Sequence, residues 1–254
     1  MSSDPKVAVV TGAGSGIGRA VSLRLAATQM RVALLGRRTP PLESLAVEIG
    51  DAARVYSVDV RDEAAVAVVF AKVASELGPL DALVANAGVS GENQPGVDDR
   101  WDEVVRTNLD GTYFCARAFE RHVAEGPEPR HFVAISSCLA RFPVPLHTAY
   151  SASKAGILGL VRGLALDWAE RGIRVNAICP GWVDTDMARA SMQAIANRTG
   201  TTYEEARRAE LAQVPLGRIA EPEEIAGLVA FLLSTDGQVF TGQSLDPNGG
   251  SWMG

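Results

Sequence analysis

The sequence predicts an α/β fold: a doubly wound, seven-stranded parallel sheet with helices on both faces. Three observations lead there. Short apolar runs rich in β-branched residues recur along the chain with almost no polar alternation, the pattern of strands buried on both faces. Longer stretches of helical periodicity separate them, so successive strands are joined by right-handed crossovers. The chain has 254 residues, 47% of them hydrophobic and 21% charged, enough for one large core, and 1–254 reads as a single domain.

Taken in order, a first strand at 7–11 leads through a glycine-rich turn into a helix at 16–28. Strands at 31–35, 53–58, 81–88 and 131–136 alternate with helices at 40–49, 62–77, 98–124 and 148–171. A strand at 173–179, a helix at 221–233 and a weaker strand at 240–246 complete the pattern. The rhythm breaks once. From 184 to 218 the chain is polar, with two modest helical stretches at 187–198 and 202–212 between a Pro180-Gly181 turn and Pro215. A segment that skips a strand suits a lid or a surface excursion.

Composition excludes several function classes. With 24 Lys and Arg against 30 Asp and Glu, the formal charge of -6 leaves no basic field to hold a nucleic-acid backbone. Cys115, Cys138 and Cys179 are far apart and form neither a paired motif nor a Cys/His cluster, so no metal site is expected and reduced thiols in a cytoplasm fit. The polar start, Met1 to Lys6, lacks the features of a signal peptide. No uncharged run reaches the roughly 18 residues that cross a bilayer.

Chemistry gathers at two places. The first is the turn Thr11-Gly12-Ala13-Gly14-Ser15-Gly16-Ile17-Gly18. Glycines there let the backbone approach an anion, and the free N–H groups of the following helix offer a pyrophosphate site. The spacing G-x-x-x-G-x-G departs from G-x-G-x-x-G, which makes it a variant of the Rossmann dinucleotide turn. The second strand ends in Gly36-Arg37-Arg38, where an acidic residue would select NAD by bonding the ribose. Arg37 in its place predicts NADP(H), with NAD(H) as the alternative; one charge-assisted bond of about 1.5 to 3 kcal/mol gives roughly 10- to 150-fold preference. Ser15 adds nothing to the case for a 2′-phosphate.

The second is Tyr150-Ser151-Ala152-Ser153-Lys154. Residues four apart share a helix face, so a phenol and an ammonium can enter one site. Ser137, directly after the fifth strand, would lie with them at the carboxyl edge of the sheet. A free phenol titrates at about 10, too high for proton exchange at neutral pH. An ammonium ~4 Å away at an effective dielectric of ~20 favours phenolate by roughly 4 kcal/mol, about 3 pKa units, bringing Tyr150 near neutrality. Tyr150 could then protonate a carbonyl oxygen that Ser137 holds.

Together, Thr11-Gly12-x-x-x-Gly16-x-Gly18, Asn86-Ala87-Gly88, Ser137, Tyr150-x-x-x-Lys154 and Pro180-Gly181 resemble the short-chain dehydrogenase/reductase family in its single-domain form, over essentially the whole chain. The resemblance implies a Rossmann sheet, usually in a homotetramer. It implies that Asn108 kinks a helix and serves a proton relay to Lys154. Asp59 and Val60 would meet the adenine, Asn86 the cofactor channel, and Val183 and Thr185 the nicotinamide carboxamide. Gly12, Ser15, Gly16, Ile17, Gly18, Arg37, Ala87, Gly88, Pro180 and Gly181 complete the implied cofactor set, with Tyr150 and Lys154, the latter on the nicotinamide ribose.

The substrate pocket implied by the family lies between Val89–Gln94, Cys138–Leu146 and the lid. Leu139, Phe142, Val144, Leu146, Trp182 and Met187 would make it apolar, with Arg141, His147 and Arg189 as polar handles. The lid resembles those of 3-oxoacyl thioester and polyketide ketoreductases and of 3-hydroxybutyrate dehydrogenases, which points to a 3-oxoacyl or cyclic ketone. The alternatives are an NAD-dependent secondary alcohol dehydrogenase and an NADP(H) sensor without chemistry. An enoyl reductase of this fold places its lysine farther from the tyrosine, and an extended epimerase needs a longer chain.

Overall fold

A computed structural model describes residues 5–94, 96 and 99–254; the polar Met1–Asp4 start and the first residue of the 98–124 helical interval lie outside them. Seven strands form one parallel sheet in the order β3-β2-β1-β4-β5-β6-β7. They are β1 (Val7–Thr11), β2 (Arg31–Gly36), β3 (Ala53–Ser57), β4 (Ala82–Ala85), β5 (Arg130–Ile135), β6 (Ile173–Ile178) and β7 (Ser244–Leu245). The helices are α1 (Gly16–Ala27), α2 (Thr39–Ile49), α3 (Glu63–Leu77), α4 (Trp101–Val105), α5 (Gly111–His122), α6 (Thr148–Asp167), α7 (Asp186–Thr199), α8 (Tyr203–Leu211) and α9 (Pro222–Leu233).

Alternation along each strand splits the core into two layers. Val7 and Val9 point to the face covered by α3, α5 and α6, where Trp168 packs against Phe119 and Phe132. Ala8 and Val10 point to the face covered by α1, α2 and α9. Strand order reverses between β1 and β4, and a crevice opens at that switch point, outside the carboxyl ends of the strands.

The expected strands and helices are present, with instructive differences at three boundaries. The interval 98–124 is not one helix: a π turn, Arg106–Asp110, separates α4 from α5. Asn108 causes the break by bonding outside its helix, its Oδ1 accepting from Val89 N–H (2.8 Å) and its Nδ2 donating to Val89 O (3.0 Å) and Ser153 Oγ (3.1 Å). β4 stops at Ala85 rather than running to 88, because Asn86 and Ala87 turn their N–H groups to Thr11 Oγ1, each at 3.0 Å. β7 shrinks to two residues, since Thr241 and Gly242 reach Val175 through a side-chain oxygen and a left-handed glycine instead of a ladder. In the excursion, α7 and α8 form where helical stretches were expected, capped by Thr185 and by a Thr202–Glu205 capping box.

Candidate active site

The glycine turn sits where β1 meets the crevice. Gly12 and Gly16 adopt left-handed φ of +64° and +51°, a region that side chains disfavour. Gly18 serves packing instead: a Cβ there would stand 2.3 Å from Gly12 O and 2.5 Å from Asn86 Nδ2. Asn86 locks the turn by donating to Thr11 O (3.0 Å) and Gly12 O (3.2 Å). Ser15, at the N-cap of α1, is exposed and makes no capping bond, and the first turn of α1 carries no carboxylate. The first N–H groups and positive end of α1 are therefore free for an anion, and the donor set fits a dinucleotide pyrophosphate.

The crevice is lined by Gly12, Ser15, Gly16 and Ile17, by Arg37 after β2, by Asp59 and Val60 after β3, by Asn86, Ala87 and Gly88 after β4, and by Thr185 at the start of α7. Arg61 grips both oxygens of Asp59, with Nη2 at 2.6 Å, and holds its carboxyl below the ordinary range. Gly18, Tyr150, Lys154, Pro180, Gly181 and Val183 are not among the lining residues. Pro180 O instead accepts from Cys138 N–H (2.8 Å), and Val183 bridges to Ala220. Leu42, Pro41, Val58 and Thr107 line the crevice without having been singled out. Val58 and Thr107 adjoin chosen residues, but Leu42 carries only the helical periodicity of a core position.

Ser137 follows β5 in extended conformation, φ -165°, and its Oγ accepts from Leu139 N–H (3.1 Å). Next to it, Ser136 Oγ donates to Lys154 O (2.9 Å), which ties α6 to the strand end. Lys154 is 4% exposed, and its Nζ donates to Ile135 O (2.8 Å). Gly88 joins these groups to the crevice: a Cβ on it would lie 3.5 Å from Lys154 Nζ and 3.2 Å from Asn108 Oδ1.

Electrostatics here correct the sequence reading. Lys154 Nζ lies 5.6 Å from the centroid of the Tyr150 ring and donates to a carbonyl, so in the resting protein burial outweighs its pull on the phenol. Burial pushes Tyr150 up to about 12, with the neighbouring Ser137 hydroxyl acting in the opposite direction. Burial also lowers Lys154 to about 8. Desolvation dominates both groups. At neutral pH the pair is a protonated phenol beside an ammonium, the state of a proton donor.

Two of the three suggested handles have other partners. Arg141 pairs with Asp246 (Nε to Oδ1 3.1 Å, Nη2 to Oδ2 3.0 Å), and Arg189 pairs with Asp184 and Asp186. The Nδ1 of His147 contacts Pro145 O at 2.9 Å.

A family model described as Enoyl-(Acyl carrier protein) reductase matches residues 12–251. A 3-oxoacyl-[acyl-carrier-protein] reductase of Escherichia coli is 33% identical over all of both chains. The chain belongs to the short-chain dehydrogenase/reductase family. As a member it is an NAD(P)-dependent oxidoreductase. An acetoacetyl-CoA reductase of Shinella zoogloeoides is 36% identical, covering 98% of this chain and 99% of its own. Actinorhodin polyketide ketoreductase, solved as a variant with NADPH, superposes with a TM-score of 0.90 at 34% identity, covering 97% of each chain. Among the described residues no helix is long and apolar enough to cross a membrane, and no group of three or more metal-ligating side chains converges.

Proposed function

We propose that this family member reduces a 3-oxoacyl thioester or a cyclic ketone to the secondary alcohol, with NADP(H) preferred. The observation that carries the reading is the meeting of Ser137, Tyr150 and Lys154 beside the dinucleotide crevice, with Gly88 bordering both. The named relatives, which reduce acyl-carrier-protein and CoA thioesters, support the substrate class. The four-residue spacing of Tyr150 and Lys154 favours a ketone over the enoyl substrate in the family model's description. Arg37 in the crevice, at the position where a carboxylate would exclude a 2′-phosphate, supports NADP(H).

When bound, the nicotinamide supplies a hydride to the carbonyl carbon. The residues handle the oxygen. Ser137 donates a hydrogen bond to it, and Tyr150, a neutral phenol at pH 7, gives it the proton that completes the alcohol. The Lys154 ammonium stabilises the phenolate left behind and orients the ribose. Asn108 serves the relay that returns a proton, and its clamp on Val89 keeps the wall of the site in place. In this reading residues 1–254 act as one unit, 184–218 form the lid, and the enzyme is a cytoplasmic homotetramer.

The test compares NADPH with NADH by fluorescence binding, then measures turnover of acetoacetyl-CoA and of a cyclic ketone in the same preparation. Roughly tenfold or tighter NADPH binding with turnover supports the proposal. Tighter NADH binding overturns the role of Arg37, and absence of ketone turnover overturns the substrate class.

A further inference from the structure

The tail that follows β7 reaches back to the loop bearing Ser137. Asp246 takes the Arg141 guanidinium in a two-point ion pair whose side chains are only 19% and 20% exposed. The ring of Trp252 covers that guanidinium, 4.9 Å from Cζ to the centroid. Asn248 fixes Trp252 there, its Nδ2 donating to Trp252 O (3.1 Å) and its Oδ1 accepting from Gly250 N–H (2.9 Å). Arg141 in turn closes the short 3-10 turn that begins at Ser137, its N–H donating to Cys138 O (2.8 Å).

The loop needs such an anchor. Between the turn and α6 it is mostly half-buried or exposed, and Leu146 in it holds a strained φ of +63°. The tail itself is well supported. Gly181 packs against it so closely that a Cβ would lie 3.0 Å from Asn248 Cα, and Leu216 N–H donates to Gly249 O (3.0 Å). A bidentate guanidinium–carboxylate pair in a sheltered place transmits that rigidity in a defined orientation.

We propose that Arg141 and Asp246, covered by Trp252, are positioning residues that hold the Ser137 hydroxyl in register with Tyr150. The pair binds no substrate; it acts through Ser137, and so the inference rests on the catalytic reading above. Ångström-scale displacement of a group that orients the carbonyl lowers turnover without disturbing a dinucleotide held elsewhere.

The experiment is a double-mutant cycle on turnover of acetoacetyl-CoA with NADPH, using Asp246→Asn and Arg141→Met, each alone and combined with Ser137→Ala, alongside NADPH binding. Trp252→Phe provides a milder variant should either of the others fold poorly. Asp246→Asn and Arg141→Met are each expected to lower kcat about 10-fold with NADPH affinity unchanged, and to cost nothing further once Ser137 is Ala. Unchanged kcat in the single variants overturns the proposal. So does an equal loss in the Ser137→Ala background, or a parallel loss of NADPH binding, either of which marks a general structural role. A Ser137→Ala enzyme as fast as the wild type instead brings down the catalytic reading, and this inference with it.

Discussion

Lys154 at the carboxyl edge of the sheet and Arg130 at its amino edge are both buried cations, 4% and 6% exposed, but their surroundings differ. Arg130 lies 3.2 Å from Asp81, whose other oxygen accepts from Val7 N–H (2.8 Å), and it donates to the carbonyls of Glu125 and Glu128. Lys154 meets a carbonyl and no carboxylate among the described residues, and burial lowers it to about 8. A neutralised buried charge locks structure; a buried charge without a counter-ion is kept poised at a cost in stability. Both charges follow from one sheet, so the contrast separates what holds the fold from what performs the chemistry.

The sharpest break in that contrast is Lys154→Met, expected to lower turnover by about 10³-fold or more while leaving thermal stability equal or higher; a stability loss with intact turnover would reverse the assignment of the two edges. Asp81→Asn is the mirror experiment. It strands Arg130 and is expected to cost about 3 to 5 kcal/mol in denaturant unfolding, with the kcat of the folded fraction unchanged.

His131, beside Arg130, sharpens the picture through pH. Burial, aided by Arg174, Lys6 and Arg130, lowers it to about 4. The native state thus binds fewer protons than the unfolded chain, whose imidazole titrates near 6.5. Its contribution is complete above pH 6.5 and lost as pH falls toward 4, a loss of about 3 kcal/mol. Urea unfolding of His131→Gln across that range is expected to show a shallower pH dependence. The smallest effect belongs to the crevice, where Arg37→Ala is expected to weaken NADPH roughly 10- to 150-fold and leave NADH almost unchanged, measured by fluorescence titration.

Most of the fold was legible in the sequence because both faces of the inner strands β1, β2, β4, β5 and β6 are buried, which erases polar alternation, and because glycine and capping residues mark the helix starts. What escaped depends on contacts distant in sequence. The π turn at Asn108 forms because an amide reaches Val89, 19 residues away; no local periodicity records that, and only the family resemblance pointed to a kink there. The same holds for Leu42 in the crevice and for Arg141, whose partner Asp246 is 105 residues distant. At the site, the spacing of Ser137, Tyr150 and Lys154 was readable, whereas their protonation was not: it follows from desolvation and from the turn of Lys154 toward Ile135 O, both properties of the packed molecule.

Tyr150→Phe tests the central claim most directly, since it removes one oxygen and little packing. With NADPH binding measured in the same protein, the account predicts that NADPH still binds, its affinity changed far less than turnover, and a fall in acetoacetyl-CoA reduction of about 10²- to 10⁴-fold. Reduction at the wild-type rate would contradict it.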